Sequence, residues 1–187
     1  MNSIVPDSHP ELFPWVLVVM TAISAQCFMI PFLYTVRVRA QVFNPLFMQQ
    51  FEAEHKAAFP EDSTTPPIGF PDMGNGYFSK KLEYKDWYRF NNAQRVHYNF
   101  IEALPFVLVL IFISALRLPL AALILACLYF VLRLIYTLGY AIGGPSMRVI
   151  GAFPNIAVVL ALFGLSLYTV AGYIQNPNAA AAAKTSL

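Results

Sequence analysis

The chain has 187 residues, of which 58% are hydrophobic and only 12% are charged. Soluble domains carry about a quarter charged residues, so this composition excludes an ordinary soluble protein and indicates a membrane protein, as one domain over residues 1–187. The net charge of +2 gives no support for a nucleic-acid partner. Cys27 and Cys127 fall in apolar segments without metal-ligand spacing, so we expect no metal.

Four apolar segments follow one another along the chain, at roughly 12–36, 95–116, 118–142 and 150–174. A helix rises about 1.5 Å per residue, so about twenty residues are needed to cross a bilayer. The first segment is longer than the apolar core of a secretory signal and lacks a basic start, which favours a retained span. The predicted fold is therefore an all-α integral membrane protein, a bundle of four transmembrane helices.

A long polar connection, roughly 40–90, separates the first two spans and is rich in Pro, Gly and charged residues, which predicts irregular structure. With four spans, this connection and the 143–149 turn lie on one side of the membrane. Of the 12 basic residues, only Arg117 and Lys184 fall toward the other side. The positive-inside rule then places the long loop and the turn in the cytoplasm.

The second span contains polar residues. Its apolar run, 103–116, is too short to cross a bilayer unless the helix also includes the residues from Arg95 onward. At about 100° per residue, Arg95, Asn99 and Glu102 fall within about 60° of one another on a helix face. His97 points elsewhere.

The third span carries a second polar stripe, formed by Arg133, Tyr136, Thr137 and Tyr140. A charge near the middle of a membrane helix costs at least about 2.5–3.5 kcal/mol, so these charges must be paired or solvated in a cavity. One reading is an Arg–Glu pair that holds the bundle together. Because arginines outnumber Glu102, the alternative is a cleft for an anionic ligand, and guanidinium groups suit carboxylates.

Two motifs carry a resemblance to a known family. FNNAQRVHYNFIEALP, residues 90–105, contains the pattern R-x-H-x-N-x-x-E with a proline three residues later. RLIYTLGYAIGGPSMR, residues 133–148, supplies the matching third-helix element. Both resemble the MAPEG superfamily, the membrane-associated proteins of eicosanoid and glutathione metabolism, and lean toward its microsomal glutathione S-transferase type 3 branch.

The resemblance implies a homotrimer in the endoplasmic reticulum that binds glutathione in the cytoplasmic half of each subunit interface. The implied reaction is conjugation of glutathione to a lipophilic electrophile, reduction of a lipid hydroperoxide with glutathione, or both. The implied partners are therefore glutathione, the lipophilic substrate, membrane lipid and further copies of the chain.

The resemblance also implies which residues bind glutathione. One subunit is expected to supply Arg95, Asn99 and Glu102, and its neighbour His97, Tyr136, Tyr140 and Arg148. Arg133 is expected to support the site by pairing with Glu102 or orienting Tyr136. Arg37 and Arg39 resemble arginines implicated at the thiol in relatives, where a nearby guanidinium favours the attacking thiolate. The alternative role for both is a positive-inside anchor.

Three other functions fit the same resemblance or the same composition. A non-catalytic lipid-presenting protein of the five-lipoxygenase-activating branch would depart from the glutathione signature, which this chain retains. A leukotriene-C-synthase-like enzyme would carry a tyrosine where Ala103 stands. A small transporter or a purely structural bundle would use the polar stripes for packing and would not bind glutathione.

Overall fold

The computed structural model describes residues 9–62 and 64–175, and within them every regular element is helical. The α-helices are α1 Phe13–Ile30, α2 Val36–Val42, α3 Pro45–Gln49, α4 Glu52–Ala58, α5 Tyr84–Ala115, α6 Pro119–Met147 and α7 Val149–Gln175. A π-helical turn, Pro31–Thr35, joins α1 to α2. Short 3-10 turns occupy Pro10–Leu12, Pro67–Gly69 and Ser79–Lys81.

Four helical stretches are long and apolar enough to cross a membrane: Pro10–Val42, Tyr84–Ala115, Pro119–Met147 and Val149–Gln175. The prediction of four membrane helices is thus confirmed by length and composition. Only 22–28% of each apolar window is buried within the chain. Most of the apolar surface is therefore available to lipid or to another subunit, and the homotrimer stays a prediction.

The chain divides into two compact units. The first unit combines the residues up to Gln26 with those from Ile101 onward, and the second unit comprises Cys27–Phe100. The single domain over residues 1–187 stays a prediction.

In the first unit, serine side chains join α5 to α7. Ser166 donates to the carbonyl of Leu110 at 2.9 Å, and the hydroxyls of Ser114 and Ser166 lie 3.0 Å apart. Both serines are buried. Hydrogen bonds between membrane helices satisfy polar groups that lipid cannot, and small residues permit the close approach they need.

In the second unit, part of the polar connection is folded into helices rather than irregular loop. The side chain of Asn44 caps α3 by accepting from the backbone N–H of Phe47 at 3.0 Å, and Pro45 fills the first position, where no donor is needed. A buried apolar cluster holds these short helices against α2 and α5. Its members are Val38, Val42, Phe43, Met48, Phe51, Phe90 and Ala93.

Helix α5 begins at Tyr84, well before the predicted start at Arg95. The prediction followed hydropathy, which falls in this polar stretch. The helix continues there because Phe90, Ala93 and Val96 are fully buried at helical spacing. Tertiary packing of that apolar stripe decides where the helix begins.

Candidate functional site

Helix α6 is kinked near its C-terminus. Gly144 has φ 66° and ψ −150°, a conformation that favours glycine, and Pro145 follows it. Beyond the kink, the carbonyl oxygen of Met147 approaches Gly139 so closely that a Cβ on Gly139 would lie only 2.6 Å from it. Two glycines thus let the chain fold back along the last turns of its own helix.

This fold-back gathers four of the predicted site residues into one cluster, Arg133, Tyr136, Tyr140 and Arg148. The guanidinium carbon of Arg148 lies 5.5 Å from the ring centroid of Tyr140, and that of Arg133 lies 4.7 Å from the ring centroid of Tyr136. The two tyrosine rings are 5.7 Å apart. We call this group the Arg–Tyr cluster.

The Arg–Tyr cluster is largely buried and carries positive charge. Arg133, Tyr136 and Tyr140 are buried, and Arg148 is half-buried. A hydrogen bond to Tyr136 raises the pKa of Arg148, and the guanidinium of an arginine is in any case charged at neutral pH. Two guanidinium groups beside two phenols form a site suited to a carboxylate or a thiolate.

The position of Tyr136 is fixed by the next helix. A Cβ on Gly151 would lie 2.5 Å from the backbone nitrogen of Tyr136 and 2.9 Å from the carbonyl oxygen of Leu132. Helix α7 therefore packs directly on the backbone of α6 beside the cluster. A site carried by closely packed helices holds its side chains more rigidly than one carried by loops.

The other predicted binding residues lie along α5. Arg95 is exposed, and His97 and Asn99 are half-buried, in the second unit. Glu102 is exposed and belongs to the first unit. Arg95 and Asn99 are four residues apart and lie on the same face of the helix, as predicted.

Arg95 lies at the edge of a cleft of about 390 Å³ in the second unit. One wall is the face of α5, and the other is the turn 73–75. The lining residues are Met73, Gly74, Asn75, Trp87, Asn91, Gln94, Arg95 and Tyr98. We call this the Arg95 cleft.

Asp72 directly precedes the turn 73–75 and holds it in place from a buried position. Its carboxylate accepts from the backbone N–H groups of Gly74, Gly76 and Ser79 at 2.8, 3.0 and 2.7 Å, and from the Ser79 hydroxyl at 2.6 Å. Burial by itself would raise the pKa of Asp72, but these hydrogen bonds outweigh it and lower that pKa below its ordinary value. Asp72 therefore acts as an ionised anchor for the turn.

Arg39, one of the two predicted thiol arginines, is also buried and contacts the polar connection. Its guanidinium donates to the carbonyls of Ile68 and Gly69 at 3.5 and 3.4 Å. It also lies against the rings of Phe70, Phe90 and Phe43, at 4.2, 4.9 and 5.8 Å. These contacts show that Arg39 stabilises the packing of the polar connection against α2 and α5. Arg37, in contrast, is exposed.

Sequence reasoning missed Trp87, Asn91 and Gln94 as residues beside Arg95. Together with Arg95 and Tyr98 they follow helical spacing, at positions 87, 91, 94, 95 and 98. That polar stripe was available in the sequence. A helix predicted to begin at Arg95 leaves Trp87, Asn91 and Gln94 outside it.

A model of the MAPEG family matches residues 16–168, which include both motifs and all four apolar helices in part or whole. A comparison with curated proteins found no match.

Proposed function

Because this chain belongs to the MAPEG family, we propose that it is a membrane-bound enzyme that binds glutathione and uses its thiolate. The observation that carries the proposal is the Arg–Tyr cluster. In it, four residues of the third-helix motif converge beside a kink, and two of them are cationic. Glutathione is an anionic tripeptide, so surplus positive charge with phenol donors is complementary to it.

Under this proposal, each glutathione contacts residues of two subunits of a homotrimer. Arg95, Asn99 and Glu102 act from one subunit. His97, Tyr136, Tyr140 and Arg148 act from its neighbour, and Arg133 orients Tyr136. The low burial of every apolar helix within one chain supports such an assembly.

The chemical step requires glutathione as a thiolate. Each unit by which the thiol pKa is lowered requires about 1.4 kcal/mol of differential interaction, which a guanidinium in a partly dry site supplies. The contacts of Arg39 with loop carbonyls favour Arg37 and Arg148 for this task. The thiolate sulfur then forms a bond to an electrophilic carbon. In a displacement this carbon loses its leaving group with the bonding electron pair, and in an addition an activated C=C bond opens and its other carbon takes up a proton. In hydroperoxide reduction, two glutathiones are oxidised to the disulfide while the hydroperoxide yields an alcohol and water.

The second substrate is lipophilic and arrives from the membrane. The part of each apolar helix that is covered neither within the chain nor by another subunit is open to lipid, which gives such a molecule a path that does not cross water. The excess of basic residues on one side supports a cytoplasmic location for the loop and the 143–149 turn. We place the protein in the endoplasmic reticulum.

Calorimetric titration of the purified protein with glutathione tests this proposal, with the ultraviolet absorbance of the thiolate followed in parallel. Saturable binding and a thiolate signal at neutral pH are expected, followed by turnover of a lipophilic electrophile or a lipid hydroperoxide. Arg95→Ala and Tyr140→Phe should lose turnover while the oligomer persists. Binding without thiolate or turnover would instead indicate a catalytically silent relative, and absence of binding would refute the proposal.

A further inference from the structure

The polar connection contributes one wall of the Arg95 cleft. From the contacts of the turn 73–75 we infer that the Arg95 cleft is a subsite for a carboxylate end of the peptide ligand. The turn is then a specificity-determining element rather than a linker. This inference rests on the proposed glutathione function, which it deepens by adding residues that the two family motifs do not include.

The turn is attached to α5 by three side chains on one helix face. Trp87 Nε1 and Asn91 Nδ2 both donate to the carbonyl of Gly74, at 3.1 and 3.0 Å. Gln94 Nε2 donates to the carbonyl of Met73 at 3.4 Å. These three residues lie in the turns of α5 directly before Arg95. Their hydrogen bonds therefore hold the wall at the edge of the cleft.

Glycine is required at the point of closest approach. Gly74 has φ +105°, and a Cβ there would lie 2.9 Å from the side-chain oxygen of Asn91. The positive φ favours glycine and the short distance leaves little room for a side chain. The backbone of the wall at Gly74 therefore packs directly against the side chain of Asn91 on α5.

The turn is also rigid, which a simple linker would not need to be. Asp72 anchors it with four hydrogen bonds, and Arg39 holds the preceding carbonyls of Ile68 and Gly69. Asp72 and Arg39 are both buried, and burying ionic groups is costly unless they are well satisfied. A wall held in this way is pre-organised, which lowers the entropic cost of binding.

The lining determines the class of ligand. Arg95 supplies a guanidinium, Asn75 an amide and Tyr98 a phenol. The amide N–H groups of Asn91 and Gln94 already donate within the protein and position the wall. Of the described residues that line the cleft, none is acidic. At about 390 Å³ the cleft lies in the size range of small-molecule sites, roughly 300–1,000 Å³. It therefore fits one carboxylate-bearing end of a peptide, with Trp87 and Tyr98 beside its planar amide.

The test uses the whole protein in lipid nanodiscs and measures Kd for three ligands: glutathione, γ-glutamylcysteine and cysteinylglycine. The truncated peptide that lacks the terminal residue bound in the cleft should bind wild type more weakly than glutathione does. Asn75→Ala, which removes a wall amide, and Trp87→Phe, which removes one bond to Gly74, should weaken glutathione binding about three- to tenfold. The same variants should leave binding of that truncated peptide unchanged. Tyr77→Phe, on the same connection but bonded to Glu54, is the matched control and should bind all three ligands as wild type does.

The outcomes separate this inference from the function on which it rests. If both wall variants keep the wild-type affinity for glutathione while Arg95→Ala loses it, the wall is not part of the site and only this inference is overturned. If wild type binds none of the three ligands, the proposed function falls and the inference falls with it. If phosphatidylserine in the nanodiscs competes with glutathione in wild type but not in Asn75→Ala, the cleft takes a lipid head group, which also overturns the inference.

Discussion

Arg148 lies over the ring of Tyr140, with 5.5 Å between the guanidinium carbon and the ring centroid, although eight positions separate the two residues. A straight helix would place side chains at this separation about 12 Å apart along its axis. The contact exists because α6 breaks at Gly144 and the following residues fold back toward Gly139. The backbone conformation of Gly144 and the absence of a side chain at Gly139 therefore determine the electrostatics of the candidate site.

The first prediction concerns the guanidinium of Arg148. Arg148→Gln should weaken glutathione binding by about 1.5–3 kcal/mol, because a hydrogen bond to a charged group is lost. Arg148→Lys should recover part of the affinity, since lysine keeps the charge but lacks the planar fork. Calorimetric Kd values for the three proteins measure the effect.

Arg117→Gln is the matched control for this prediction. Arg117 also lies over a tyrosine, with 5.0 Å between its guanidinium carbon and the ring centroid of Tyr168, but outside the Arg–Tyr cluster. Its loss should leave glutathione binding unchanged. Equal Kd values for Arg148→Gln and Arg117→Gln would show that Arg148 does not bind the ligand.

The second prediction concerns the fold-back at Gly139. Gly139→Ala should lower stability by about 1–3 kcal/mol, because its new methyl group would meet the backbone of Met147 and neither element can move freely. Gly164→Ala is the matched control, since its added Cβ would meet no atom of the described chain within 4 Å apart from its chain neighbours and its own helix backbone. Thermal unfolding in detergent compares the two. A lower melting temperature for Gly164→Ala alone would contradict the packing described here.

Sequence patterns were sufficient to predict the four membrane helices and the polar stripe that carries Arg133, Tyr136 and Tyr140. Hydropathy reports burial in lipid directly, and Arg133, Tyr136 and Tyr140 share a helix face whatever the surroundings. The contact between Arg148 and Tyr140 was not predictable in the same way. It depends on the φ and ψ angles of Gly144, and a Gly-Gly-Pro sequence indicates a break without giving its direction.

The folded part of the polar connection was not predictable either. Its segments are short, and their order comes from contacts with residues distant in sequence, such as those of Arg39 with Gly69 and of Trp87 with Gly74. Local propensity carries little information about such contacts. Asp72 lies among residues typical of turns, and nothing near it in the sequence distinguishes a buried anchor from a solvated aspartate.

The third prediction separates Arg39 from Arg37. Arg39→Gln should lower the melting temperature, because buried carbonyls and three aromatic rings lose their cationic partner. Arg37→Gln should leave the melting temperature unchanged, since Arg37 is exposed. Thermal unfolding compares the stability of the two variants. The thiolate absorbance of bound glutathione compares their effect on the chemical step. If Arg39→Gln is stable and binds glutathione but forms no thiolate, this prediction is wrong and Arg39 takes part in stabilising the thiolate.

The fourth prediction concerns the pH dependence of the turn held by Asp72. The pKa of Asp72 is lower in the folded protein than its ordinary value, so its ionised form stabilises the fold at pH values above that ordinary value. This stabilisation should be lost as the pH falls through the lowered folded pKa, and no loss is expected from Asp72 on the alkaline side. Trp87 donates to the carbonyl of Gly74 and reports on the turn. In a Trp15→Phe background it is the only remaining tryptophan of the 2 in the chain.

Asp72→Asn tests the origin of that pH dependence. An amide has one accepting oxygen, so it cannot satisfy the three N–H groups and the hydroxyl that now donate to the carboxylate, and the variant should lose about 1–3 kcal/mol at neutral pH. Its Trp87 fluorescence should show no acid transition belonging to the turn. Ser79→Ala removes one of the four hydrogen bonds and keeps the carboxylate, so its transition should persist and move to higher pH. If Asp72→Asn and wild type lose the fluorescence signal at the same acid pH, another group controls the turn.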